Sequence, residues 1–146
     1  MREVYLKYSE NPDVSALFVE AIMSRTPWQL WDLQNGTPKE GASTLEAQEV
    51  LEKSNALVEK NGTHPHAGLL HYYIHVMEMS PTPEAALTAG DLMRTLVPDC
   101  GHLLHMPTHI DFQCGHYNDV VIRNSEAVDA DIKILPHHDL NLFAGS

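Results

Sequence analysis

The chain has 146 residues, 43% of them hydrophobic and 20% charged, an ordinary globular balance and enough for one domain with its own core. Its formal net charge of −11, with histidines neutral, argues against the basic face that a nucleic-acid partner requires. No stretch approaches the roughly 18 apolar residues of a membrane span, and "MREVYLKYSENPD" has no apolar signal core, so a cytoplasmic protein with no membrane partner is expected.

The opening residues start abruptly, almost inside a helix, which predicts a chain cut from a longer one. "NPDVSALFVEAIMSR" then reads as a helix over about 12–25, with Asn11 as cap, Pro12 in the first turn, and Leu17, Ala21 and Ser24 at helical spacing. "TPWQLWDLQNG" reads as a helical turn or loop, with Trp28 and Trp31 anchored in the core, and "TPKEGAS" as a linker. "STLEAQEVLEKSNALVEKNG" predicts a longer helix. Ser43 and Glu46 match a capping box, Leu45, Val50, Leu51, Leu57 and Val58 form its apolar stripe, and Gly62 marks its end. Helices follow over about 66–79 and 83–96. "CGHLLHMPTHIDFQCG" and "HYNDVVIRNSEAVDADIKI" repeat that pair. No segment shows sustained strand alternation, so the expected class is all-α.

The two helix pairs are in register. His71 and His105 stand 34 residues apart, as do His75 and His109, Pro83 and Tyr117, and Ala86 and Val120. Thirty-four is the period of the tetratricopeptide repeat. "GHYNDVVIRNSEAVDAD" resembles the second half of such a repeat, with Gly115 and Tyr117 at the turn, Val120 and Ala127 at small apolar positions, and Pro98 as the closing proline of the unit before. Gly90 and Asn124 depart from the pattern, standing where an aromatic is usual, and Ile132 stands in place of the closing proline. The resemblance covers about residues 66–132. "HAGLLHYYIHVMEMSPTPEAAL" with "VPDCGHLLHMPTHIDFQCGHY" resembles, more narrowly, a histidine-rich subgroup of that family whose activity is not established. The resemblance implies a right-handed α-helical solenoid of stacked antiparallel helix pairs, with a concave groove lined by the first helix of each unit. The expected organisation is an N-terminal helical segment at 1–42, the repeats at 43–135 and a C-terminal tail at 136–146, with both ends truncated.

Ten histidines is the unusual count, and six of them lie in 66–80 and 101–112. At about 100° per residue, His75 lies roughly 40° from His71 around the helix, and Glu78 roughly 20° the other way. His105 and His109 share the matching face, with His102 roughly 60° off it. Two histidines at i, i+4 can chelate one ion from one helix face, and a second pair from the neighbouring repeat completes four nitrogens. The expected ligands are therefore His71, His75, His105 and His109, assisted by Glu78 and by His102 or His66. Imidazole suits zinc, copper, iron or nickel. If a coordination position stays open, Glu78 is the candidate catalytic base. Asp111 lies roughly 160° from His109, remote from that face. Pro107 removes a helical hydrogen bond to Leu103, and either kinks the second histidine helix or starts it.

Blander readings stand beside these. His66 reads equally as a cap neighbour. His64, His116, His137 and His138 read as surface residues, and the methionines as core filler. Cys100 and Cys114 have no zinc-ligand spacing and read as reduced thiols. The metal-free alternative is a repeat scaffold whose polar groove takes a protein or peptide partner.

Overall fold

The computed structural model describes residues 1–134; the expected tail, with His137 and His138, lies outside the described residues. Eight helices carry the described residues: α1 Arg2–Lys7, α2 Pro12–Met23, α3 Thr44–Lys60, α4 Ala67–Met77, α5 Leu87–Leu96, α6 Gly101–His105, α7 Pro107–Gln113 and α8 Tyr117–Ile134. The fold is all-α apart from a two-stranded ribbon, β1 Trp31–Asp32 and β2 Thr37–Pro38, paired antiparallel with Trp31 opposite Pro38. The ribbon replaces the helical turn or loop expected there. Its turn is held by Asp32, whose carboxylate accepts from the Gln34 N–H at 2.9 Å and the Asn35 amide at 2.8 Å, while Gly36 takes a left-handed φ of 65°.

Helix α2 starts where the sequence supplies a cap: the Asn11 side chain accepts from the Val14 N–H at 3.2 Å, and Pro12 follows at the first helical position. Its buried face is Ser15, Ala16, Phe18, Val19 and Ile22. The expected Leu17–Ala21–Ser24 stripe faces solvent instead. Both sets have helical spacing, but Phe18, Val19 and Ile22 bury more apolar surface than one leucine, an alanine and a serine. In α3 the capping box does not form. Ser43 makes no side-chain cap bond, and Glu46 turns to the Arg2 guanidinium, 2.8 Å at one of its two contacts. Leu45 is exposed, whereas Val50 and Leu51 are buried.

Successive helices pack from α1 to α5, α1 on α2, α2 on α3, α3 on α4 and α4 on α5; beyond that α5 packs on α7, and α6 and α7 pack on α8, while α4 also touches α2 and α7. One core runs from Phe18 and Val19 through Leu51, Leu69, Ile74 and Met77 to Met93, Met106 and Ile110. The helix expected over 83–96 opens with a 3-10 turn, Pro83–Ala86, before α5 begins. The helix expected in "CGHLLHMPTHIDFQCG" is cut into α6 and α7. Pro107 has no N–H to donate, yet Met106 keeps helical angles (φ −51°, ψ −43°), so the run loses a hydrogen bond but continues in direction. A Cβ on Gly90 of α5 would stand 3.3 Å from Pro107, so the glycine makes room for that proline.

The two tryptophans part company. Trp31 is buried, and its indole N–H donates to the Val76 carbonyl at 2.6 Å. That carbonyl lies in the last turn of α4, where helical partners run out. Trp28 is 69% exposed and adopts φ 60°, a conformation bulky side chains rarely take. Trp31→Phe should therefore cost about 1–3 kcal/mol by leaving a buried carbonyl unpaired. Trp28→Phe should change stability by no more than about 0.5 kcal/mol. Chemical denaturation of both variants checks this, and equal losses would contradict it.

Candidate metal centre

The histidine-bearing faces of α4 and of the α6–α7 run meet. His71 Nε2 lies 3.2 Å from His102 Nε2, and the Glu78 carboxylate touches His109 Nδ1. Both contacts join residues 31 apart, one pair earlier and one later on each helix, so the two runs are parallel. The contact offset falls three short of the 34-residue period. Residues at equivalent positions lie side by side, but the atoms that touch come from facing flanks of the two helices. His71 consequently meets His102 rather than His105, and His102, expected only to assist, is a direct partner.

Glu78 is the hinge of the arrangement. It is 8% exposed, and its two oxygens serve different helices: Oε1 lies 3.1 Å from His75 Nδ1, and Oε2 contacts His109 Nδ1. Burial alone would raise its pKa. The hydrogen bonds from His109 and then His75, with their charges, overcome this and hold the carboxyl at about 2. An ionised carboxylate only accepts, so both Nδ1 atoms carry the proton and donate it. His105 Nδ1 lies 2.6 Å from Asn124 Oδ1, and the Asn124 amide nitrogen lies 3.4 Å from Thr108 Oγ1, an orientation that makes His105 Nδ1 a donor too.

The consequence falls on the other nitrogens. With Nδ1 carrying the proton, each ring in its neutral form has a bare Nε2, and the Nε2 atoms of His105 and His109 stand 2.9 Å apart. Two lone pairs at that distance repel each other unless a proton or a metal ion lies between them. The five rings form a chain: His102 to His71 (centroids 5.1 Å apart), His71 to His75 (4.7 Å), His75 to His109 (6.1 Å) and His109 to His105 (4.8 Å). Burial, then the neighbouring His75, His102 and His109, push the His71 pKa down to about 4. Burial, then His105, His75 and His109, lower that of His102. Both are poised as neutral nitrogen donors. Among the described residues, no three His, Cys, Asp or Glu side chains are arranged as they stand to hold one ion.

Two expected participants sit elsewhere. His66 is the N-cap of α4: its Nδ1 accepts from the Leu69 N–H at 3.2 Å, and its Nε2–H donates to Asp13 at 3.0 Å. It is therefore removed from the candidate ligands, with both nitrogens occupied. Asp111 is 2% exposed and paired with Arg94, away from the cluster as its rotation around the helix predicts. Asn124 was missed as a participant. Its signal was legible as a polar residue where the resembling repeat carries an aromatic.

Comparison of the chain with protein-family models, curated proteins and solved structures finds no match.

The lowered pKa values set a pH dependence for metal-free protein. Unfolded, His71 takes a proton near 6.5; folded, it does so only near 4. Its contribution is intact above about 6.5 and is lost as pH falls towards 4. Glu78, lowered from 4.5 to about 2, adds a second loss below 4.5. Melting temperature against pH should show the upper limb flattened in His71→Gln and the lower in Glu78→Gln. Superimposable profiles would refute the assignment.

Proposed function

We propose that this chain is a tetratricopeptide-like helical-repeat protein whose histidine groove binds a transition-metal ion. The observation that carries this reading is the facing pair of bare Nε2 atoms on His105 and His109, each with its Nδ1–H anchored to an oxygen. Histidine ligands of metals characteristically donate the other ring N–H to a carboxylate or carbonyl, which fixes the tautomer and strengthens the donor. Glu78 and Asn124 fill that role here. At metal–nitrogen bonds of 2.0–2.1 Å, two tetrahedral ligand nitrogens stand about 3.3 Å apart. The His71–His102 separation of 3.2 Å is close to this, and the His105–His109 pair is a little tighter. An all-imidazole donor set favours zinc, copper, iron or nickel over magnesium or calcium.

Within this reading Glu78 is a positioning residue. Both oxygens are engaged, and a carboxyl held at about 2 is a weak base, so the general-base role finds no support in its surroundings. The solenoid reading is supported by parallel histidine runs at matched repeat positions and by packing between successive helices. The metal-free scaffold reading draws support from a different observation: among the described residues no three donors converge as they stand, and protons shared within the two histidine pairs would satisfy them without a metal.

The test is metal content after reconstitution with zinc, copper, iron or nickel. His105→Ala and His109→Ala should each release the metal, and the double variant should be no worse than either, because both act on one site. Glu78→Gln should weaken affinity by about 10–100-fold. His66→Ala should keep the metal and lose about 1 kcal/mol of stability through its cap. Wild-type protein without bound metal, or His66→Ala releasing it as readily as His109→Ala, would overturn the proposal.

A further inference from the structure

We propose that the cleft beside the histidine cluster is a binding site for a small aromatic amine in its ammonium form. The cleft lies between the end of α2, the segment leading into β1, and α4, and has a volume of about 220 Å³. A cavity of about 150 Å³ is enough for benzene, so this one holds a single ring with a short side chain. Its aromatic lining comes from Trp28, Trp31 and Tyr72, and its charged or ionisable lining also includes Glu20, His75 and Glu78. Among the described residues, no lysine or arginine lines it.

Three features select the ligand. First, the Glu78 oxygens are engaged by His75 and His109, which leaves Glu20, exposed on α2 beside Tyr72, as the carboxylate that meets a cation. Second, an ammonium group is attracted to the faces of tryptophan and tyrosine, whereas an anion meets the carboxylates of Glu20 and Glu78 and a net charge of −11. Third, Trp28 is held at φ 60°, its indole exposed and edge-on to His75 with ring centroids 6.1 Å apart. A bulky residue in that conformation is strained, and such strain gathers at ligand clamps. Its turn is tied by the Thr26 N–H donating to Met23 at 3.0 Å and the Gln29 N–H donating to Thr26 at 3.1 Å. The ligand is thus recognised by ring stacking at one end and by charge at the other. Its closeness to a bound ion rests on the metal reading; its binding does not.

The chain's two tryptophans both line the cleft, so intrinsic fluorescence reports occupancy. Purified protein, metal-free and zinc-loaded, is titrated at neutral pH with 2-phenylethylamine, 2-phenylethanol and phenylacetate, with calorimetry in parallel. Saturable binding of the amine is expected, about tenfold weaker binding of the alcohol, and weaker binding still of the acid. Glu20→Gln should bring amine and alcohol to within about threefold of each other, with melting temperature and metal content unchanged. Trp28→Ala should weaken amine binding by about tenfold. Equal affinity for amine and alcohol in the wild type, retention of amine preference in Glu20→Gln, or no saturation by either readout would overturn the proposal. Protein that binds zinc but not the amine overturns this inference alone; protein that binds the amine but no metal overturns the metal reading alone.

Discussion

A buried carboxylate with one histidine on each oxygen joins the two helical runs from which the candidate site is built. Glu78 closes α4 and reaches back to His75 on its own helix and across to His109 on α7. A lone buried carboxylate would be costly, and the paired imidazole donors offset that cost. The same contacts fix the direction in which both rings face. Once Nδ1 is committed to Glu78, the remaining nitrogen of each neutral ring presents a lone pair to the histidine cluster. The tautomers of His75 and His109 and the depressed pKa of Glu78 follow from that single bridge.

The scaffold around the bridge accommodates it through one amide and two glycines. Asn124 anchors His105 from α8, and Gly90 gives Pro107 room to sit between α6 and α7. Gly101 begins α6 directly beneath Asp131, where a Cβ would collide with that carboxylate. A standard aromatic at position 124 would leave His105 Nδ1 without its acceptor.

The helices and the pairing of the two histidine runs were legible in the sequence because period and spacing record backbone geometry. His71, His75, His105 and His109 at a 34-residue repeat have to share a side of neighbouring helices. Which atoms touch was not legible: contact follows the flanks of the helices, so His71 meets His102, an offset no equivalence of positions reveals. His66 was ambiguous because a histidine at a helix start can cap or ligate, and only the nearness of Asp13, 53 residues away in the chain, decides between them. Leu17 was misplaced because apolar residues at helical spacing compete for one buried face, and the larger set wins it; Trp28 was misplaced because its segment is a turn at φ 60° and not a helix, so the i, i+3 spacing to Trp31 does not put both rings on one face.

The central claim is that Glu78 and Asn124 hold their histidines as Nδ1–H tautomers and leave Nε2 free for a metal. Long-range proton–nitrogen correlation spectra of histidine-labelled protein read this directly. At about pH 8, where an ordinary imidazole is neutral, His75 and His109 should appear as Nδ1–H tautomers, and added zinc should shift their Nε2 resonances selectively. In Glu78→Gln that tautomer preference should be lost. Nε2–H tautomers for His75 and His109 in the wild type, unmoved by zinc, would contradict the account.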